Sequence, residues 1–338
     1  MKAQIVCIPE PGKIDVVEKE LTIGPEDILV KTTMFSICGT DKNYYLGKLP
    51  RGTKIIDPST SGYESHDKYP ILMGHEGAGI VVETGSAVRD INVGDYVVSM
   101  GWNNCMADYW VSQYRPDGRG LILAPKGISK DVAALGDAVA CSIYAGMHSG
   151  VMLGDVVAIV GCGFAGQVIA QIVKRMGAKT VICIEPIEPK LELAKKLGCD
   201  VVLNPNKVDV EEEVRKLTNN VGVDVVIETA GLGETVQMST DILKHGGILG
   251  MYSWILDPVN LFVDRWHDDG FDIRTLAIMH RILHDMRWWI DKTMQVAADQ
   301  IISIDPLLTH RFSFEDVEKA FECASTDDTA VKVGIDVS

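Results

Sequence analysis

The hydrophobic pattern divides the chain into two textures. From Met1 to about Ala124, short apolar runs are broken by Gly and Pro; Ile28–Thr33, Gly79–Glu83, Tyr96–Met100 and Asp108–Ser112 read as strands. Turn residues recur between them, which predicts a β-rich barrel or sandwich. From Asp155 strands alternate with helices. Val156–Val160 is a continuous apolar run, and Phe164–Met176 then follows a helical period. Its Ala165, Val168, Ile169, Ile172, Val173 and Met176 share one face, and Gly177 stands where a C-cap belongs. Thr180–Ile184, Val201–Leu203, Val223–Ile227 and Ile248–Tyr252 read as further strands. Pro189 opens a helix that ends at Lys195-Lys196, with Glu188 and Glu192 near its start, as the helix dipole prefers. Asp209–Leu217 and Glu234–Lys244 read as the intervening helices. Apolar strands alternating with helices imply a parallel sheet covered on both faces. An amphipathic stretch follows Leu276, and Ala330–Val337 is again strand-like.

Length and charge narrow the functional classes. A chain of 338 residues suggests two or three domains. Lys and Arg number 32 against 47 Asp and Glu, a net charge of −15. Such a surface repels phosphate backbones and anionic lipid, so neither nucleic acid nor membrane is an expected partner. Val156–Val173 is uncharged, but Gly161, Gly163, Gly166, Gln167 and Gln171 interrupt it, so it reads as strand, turn and helix rather than a membrane span. Met1–Val6 reads as the start of a strand, not as a signal peptide. The eight Cys, at 7, 38, 105, 141, 162, 183, 199 and 323, form no CxxC motif. Reduced thiols in a cytoplasm are the expectation.

Gly161-Cys162-Gly163-Phe164-Ala165-Gly166 is a GxGxxG motif between an apolar strand and an apolar-faced helix. An acid, Glu185, ends the next strand 19 residues after Gly166. In that context the motif is a dinucleotide fingerprint. Gly161 serves the turn, Gly163 the approach of a pyrophosphate, and Gly166 close packing of helix on strand. Glu185 would accept hydrogen bonds from adenosine ribose hydroxyls and repel a 2′-phosphate. The next residues, Pro186-Ile187-Glu188, offer no cation, so NAD is expected over NADP.

Cys38-Gly39-Thr40-Asp41 closes one β segment, and Gly74-His75-Glu76-Gly77-Ala78-Gly79 opens another. Taken singly, Cys38 reads as a small buried hydrophobe and His75 as a hydrogen-bonded structural residue. Together with Val93-Gly94-Asp95, the GxGxxG motif, Asp224–Gly231 and Leu308–Phe312, these motifs resemble the zinc-dependent medium-chain alcohol and polyol dehydrogenases nearly end to end. The resemblance implies an α/β protein, with a GroES-like β-rich catalytic domain (1–139 and 281–338) around a Rossmann domain (140–280) whose parallel sheet is doubly wound. It implies one catalytic zinc on Cys38, His75 and Asp137, with Cys141 as the competing third ligand. It makes Glu76 an outer partner or exchanging ligand, Asp41 the residue that orients His75, and Thr40 the first proton-relay hydroxyl. The reaction implied is hydride transfer between NAD and the secondary hydroxyl of a polyol or sugar alcohol. Simple secondary alcohols and threonine are the alternative substrates. A homodimer or homotetramer is expected. A zinc-free quinone-reductase relative and a non-catalytic NAD-binding sensor are the readings from other classes; both predict no catalytic zinc.

Three departures from the family pattern stand out. The lobe that often carries four structural-zinc Cys is missing, since Gly94–Met100 runs almost directly into Trp102-Asn103-Asn104-Cys105. No structural zinc is expected. The relay position five residues after Cys38 holds Asn43, which cannot titrate near neutral pH. The Cys38–His75 interval is long, and its extra segment, Leu49–Tyr69, reads either as a substrate lid or as a solvated loop or subunit contact. Tyr44, Tyr45, Trp102, Trp254, Trp266 and His267 are aromatics that could line a substrate site or simply pack.

Overall fold

The computed structural model describes residues 1–49, 68–277 and 286–337. The segment 49–69 is therefore almost wholly outside the described residues, and with it the question of a lid. The chain forms two compact units, Met1–Ala140 with Ile282–Ser338, and Cys141–Arg281.

In the first unit, β1 (Lys2–Ile8) pairs with β2 (Asp15–Glu20) on one side and β4 (Ile71–Leu72) on the other. The larger sheet is built around β3 (Asp27–Ile37), an 11-residue strand with eight buried positions. On β3 lie β5 (Gly77–Thr84), β7 (Tyr109–Gln113) and β16 (Lys332–Asp336), all antiparallel to it. β6 (Tyr96–Met100), β8 (Gly120–Leu123) and β15 (Leu308–Ser313) complete seven strands. Two short helices, α1 (Gly39–Tyr45) and α2 (Lys130–Ala134), follow β3 and β8. The Val317–Thr326 helix buries Val317, Ala320, Phe321 and Ala324 in a core with Phe35, Ile37, Tyr44 and Met73.

The register of β3 decides what meets at its end. Phe35 lies opposite Gly77 of β5, and Ile37 lies opposite Val333 of β16. Because both partners run antiparallel, Cys38 emerges beside His75-Glu76 on one side and Lys332 on the other. Gly74 takes φ +119°, and a side chain there would collide with the Met106 amide. Only glycine lets the loop before Met106 close on the His75 segment.

The second unit is a six-stranded parallel sheet in the order β11-β10-β9-β12-β13-β14. The strands are β9 (Val156–Val160), β10 (Thr180–Ile184), β11 (Val201–Leu203), β12 (Val223–Glu228), β13 (Leu243–Met251) and β14 (Asp272–Thr275). This is the doubly wound dinucleotide-fold order, 3-2-1-4-5-6 from its own first strand. Alternate residues serve opposite faces: Val157, Ile159, Val181, Cys183, Val225 and Ile227 meet α4 (Phe164–Arg175) in one core. Ala158, Val160, Ile182, Ile184 and Val226 meet Val210 and Val214 of α6 (Val210–Leu217) in the other. The expected Glu234–Lys244 helix ends early, at Asp241 of α7 (Gly233–Asp241). Leu243 and Lys244 belong to β13, because Leu243 pairs with Val223. Among the described residues no helix is long and apolar enough to cross a membrane.

Phe35 is fully buried and meets Phe314 edge to face at 6.0 Å. Phe35→Ala is expected to cost about 3–5 kcal/mol in urea unfolding. Ile80→Ala, on the exposed side of β5, is expected to cost less than about 1 kcal/mol.

Candidate metal centre and dinucleotide loop

Cys38 is the N-cap residue of α1, and its amide donates to Asp41 Oδ2 at 2.7 Å. That bond turns Asp41 inward, where it is fully buried. Its Oδ1 lies 3.5 Å from His75 Nδ1. Neither atom has a hydrogen-bond partner. Trp102 stacks on the His75 ring, with centroids 5.0 Å apart and planes 17° apart, and its Nε1 donates to Leu72 O at 3.2 Å. His75 is thus held between a carboxylate and an indole. The donor atoms of Cys38, His75 and Glu76 lie within 4.8 Å of one another. Asp137, in α3 (Gly136–His148), is outside that trio, and Cys141 follows it by one helical turn. Thr40 and Asn43 are half-buried on α1, in its first and second turns.

Glu76 is fully buried. Lys332 Nζ donates to its Oε1 at 2.9 Å and lies 2.6 Å from Oε2, and Ser36 Oγ donates to Oε2. Lys332 also donates to Ile37 O at 3.3 Å. Burial by itself would raise the Glu76 carboxyl, but Lys332, then His75, hold it below its ordinary value. For Asp41 and Asp137 burial outweighs the pull of His75 and, more weakly, of Lys332, and pushes each up to about 6. Asp137 accepts from the Gly101 backbone. Burial would lower His75, yet Asp41, Cys38 and Asp137 hold it well above its usual range.

A divalent cation fits the same donors. Sulfur, imidazole nitrogen and carboxylate oxygen are a zinc-type set. The unpartnered Asp41–His75 pair matches the outer support that metal-bound histidines use.

In the second unit, β9 leads into the turn Gly161-Cys162-Gly163, and Gly163 is the N-cap of α4. Gly161 takes φ +92°, and a Cβ there would lie 2.8 Å from Ala230 N. A Cβ at Gly166 would collide with the Gly161 carbonyl. At Gly163 it would meet nothing within 4 Å. The first and third glycines are closed by protein, and the second faces open space. Phe164, Ala165 and Gly166 form the first turn of α4, whose amides have no intrahelical acceptors. This is the arrangement that takes a pyrophosphate. Glu185 is buried at the end of β10, and its Oε2 accepts from Cys162 N at 2.8 Å. One carboxylate oxygen therefore braces the loop.

Two further residues were not evident beforehand. Lys332 stands in the apolar run Val331-Lys332-Val333, and a lysine on the inward face of a strand is the signal it offered. Glu228, fully buried at the end of β12, accepts from Ala230 N at 2.9 Å, Gly231 N at 2.8 Å and Thr235 Oγ1 at 2.8 Å, and also from Ser253 Oγ. It braces the loop against Gly161. Of the aromatics, Tyr44 packs on Trp102, Tyr45 on Phe321 and Trp266 on Phe271.

The Alcohol dehydrogenase GroES-like domain family matches residues 24–141, and the Zinc-binding dehydrogenase family matches residues 165–292. The L-threonine 3-dehydrogenase of Pyrococcus horikoshii is 30% identical over 327 residues, covering 88% of each chain. The chain belongs to the zinc-dependent medium-chain dehydrogenase family. An alcohol dehydrogenase of Cupriavidus necator is 28% identical, covering 99% of this chain and 98% of that protein. The fold is shared with 2R,3R-butanediol dehydrogenase from Bacillus subtilis, at a TM-score of 0.82, 21% identity, and coverage of 99% of this chain and 100% of that one. The dehydrogenase is thus an oxidoreductase of the zinc-type alcohol, polyol and threonine dehydrogenase group.

In this dehydrogenase the Glu76–Lys332 pair has a definite stability signature. A carboxyl held low contributes stability above its unfolded value and loses it as pH falls through the folded value. Lys332→Met is expected to cost about 3–5 kcal/mol at neutral pH, because it leaves Glu76 charged and unpaired. The difference from wild type should narrow as pH drops below the ordinary carboxylate range. Urea unfolding at several pH values measures both.

Proposed function

We propose that the chain oxidises a secondary hydroxyl of a polyol or sugar alcohol to a ketone with NAD, and runs the reverse reduction. The observation that carries the reading is that one chain holds both a Cys38–His75–carboxylate cluster in its first unit and, in its second, a glycine loop braced by the buried Glu185 at the end of the adjoining strand. Zinc, when bound, supplies Lewis acidity at the substrate oxygen, and NAD supplies the hydride acceptor.

The chain's own residues do the rest. Cys38, His75 and Asp137 are the proposed zinc ligands. Glu76 is the nearer carboxylate, but both its oxygens are already engaged by Lys332 and one also by Ser36. It therefore serves as an outer partner that can exchange inward. Asp41 fixes the plane and tautomer of His75 from behind. Thr40, two residues after Cys38, offers the hydroxyl that takes the substrate proton. Asn43 hydrogen-bonds along that route but cannot itself carry the charge. Glu185 keeps Oε2 on Cys162 N, and its Oε1, which accepts from Ile187 N at 3.3 Å, has a second lone pair for a ribose hydroxyl. Its negative charge in a buried position disfavours a 2′-phosphate. We propose one catalytic zinc at this centre, no structural zinc lobe, a homodimer or homotetramer, and a cytoplasmic setting.

A second reading has its own support. The L-threonine 3-dehydrogenase relative spans most of the chain, and threonine also carries a secondary hydroxyl. Both readings share metal, cofactor and reacting carbon.

The deciding assay is NADH formation with polyols, secondary alcohols and threonine, with NAD and NADP in parallel, each with and without a zinc chelator. Chelator-sensitive NAD reduction by one substrate class is expected. Silence with no bound zinc would bring the non-catalytic NAD-binding reading forward. Cys38→Ser and Asp137→Asn are each expected to lower zinc affinity by more than the roughly 10–100-fold that losing an outer partner costs. Retention of zinc and full turnover by Cys38→Ser would refute the assignment. Glu185→Gln is expected to shrink the preference for NAD over NADP by about tenfold or more, since it removes the charge but keeps an acceptor.

A further inference from the structure

The residues that follow Glu185 in the chain offer no cation, but the fold brings one there from the next strand. β11 pairs parallel with β10, Ile184 opposite Leu203, and Glu185 N donates to Leu203 O at 3.1 Å. The chain therefore leaves β11 at Asn204, beside Glu185. Asn204 is buried and joins three pieces of this corner. Its Nδ2 donates to Pro186 O at 3.0 Å and to Glu188 Oε1 at 2.6 Å, and its carbonyl accepts from Lys207 N at 2.9 Å. The turn so fixed lays the Lys207 ammonium on Glu188, with Nζ 2.6 Å from Oε1. Glu188 is the first residue of α5 (Glu188–Lys196). Lys207, then Asn204, hold its carboxyl below the ordinary value.

The backbone of this corner has little for a phosphate. Pro186 and Pro189 carry no N–H, and Ile187 N donates to Glu185 Oε1 at 3.3 Å. Charge therefore decides what is tolerated beside Glu185. A lysine without a counter-charge is a point charge that binds phosphate. Here a carboxylate lies on that lysine, three residues beyond the glutamate expected to hold the ribose. Both side chains are well exposed to solvent, so the pair adds little to stability. Its weight lies in the field it sets at the corner.

We propose that Glu188 is a cofactor-specificity residue, which neutralises Lys207 and so denies a cation to the 2′-phosphate of NADP. This role presupposes NAD binding at the Gly161–Gly166 loop and Glu185. The charge arithmetic is simple. The intact pair carries no net charge. Glu188→Gln leaves one positive charge, Lys207→Met leaves one negative charge, and the two together are neutral again. Glutamine keeps an oxygen for Asn204 Nδ2, so the bridge to Pro186 survives. A 2′-phosphate responds to each of these charges, whereas NADH, which lacks it, responds little.

The test is the dissociation constants of NADH and NADPH with the full-length protein, from isothermal titration calorimetry at low salt, which needs no substrate. Wild type is expected to bind NADH the tighter. Glu188→Gln is expected to tighten NADPH by at least about tenfold and to keep NADH within about twofold. Lys207→Met should weaken NADPH further, and the double variant should return it to the wild-type value. High salt should shrink the gain in Glu188→Gln, because the pair is exposed. Equal NADH affinity in all four proteins shows that the loop is intact. If wild type prefers NADH and Glu188→Gln leaves NADPH within about twofold of it, the role of Glu188 is refuted while the NAD reading stands. A gain that persists in the double variant refutes Lys207 as the cation. Wild type that binds neither cofactor, or NADPH as tightly as NADH, overturns the NAD reading and this role with it.

Discussion

Glu76 and Lys332 are 256 positions apart and both buried. A buried carboxylate without a partner is very costly, so the closed first unit depends on the lysine that the last strand carries. That requirement explains why the chain, after building an entire parallel-sheet unit, returns to the sheet where it began. β16 fills the position beside β3, and only in that register does Lys332 reach both Glu76 and the carbonyl of Ile37.

The same pair sorts the acids of the catalytic centre. Three carboxyls surround His75, and burial penalises the charge on all of them. Glu76 has the lysine in contact and is held low; on Asp41 and Asp137 the pull of His75, of the more distant Lys332 and of one backbone amide each does not offset burial, and they are pushed up to about 6. Environments that drive similar groups apart are how one cluster assigns permanent and exchangeable charge. The permanent charge sits on Glu76, behind the histidine. The exchangeable ones are those a cation can claim.

In the dinucleotide unit two buried glutamates do related work at the ends of β10 and β12, the two strands that flank β9. Glu185 holds the glycine loop by Cys162 N, and Glu228 gathers the loop that Gly161 packs against. Glycines make the turn possible but leave it loose, because they carry no side chains to pack. The carboxylates restore rigidity from outside, so the amides at the start of α4 point one way before any phosphate arrives. Rigid presentation lowers the ordering cost of binding.

What the sequence determined by itself was what neighbours in the chain determine. The alternation of apolar runs set the parallel sheet, the glycine spacing set the turn into α4, and Glu185 was legible because it ends the adjoining strand. Cys38, His75 and Asp137 were legible only as a resemblance, since no local pattern brings them together. The tertiary structure alone decided the rest. It put Trp102 on the face of His75, Ser36 and Lys332 on Glu76, and Lys207 on Glu188. These meetings depend on strand register across tens to hundreds of residues, where a slip of one position turns every side chain to the other face. The end of α7 before Leu243 has the same cause: a local helical period extended further, but pairing with Val223 claimed the residue for the sheet.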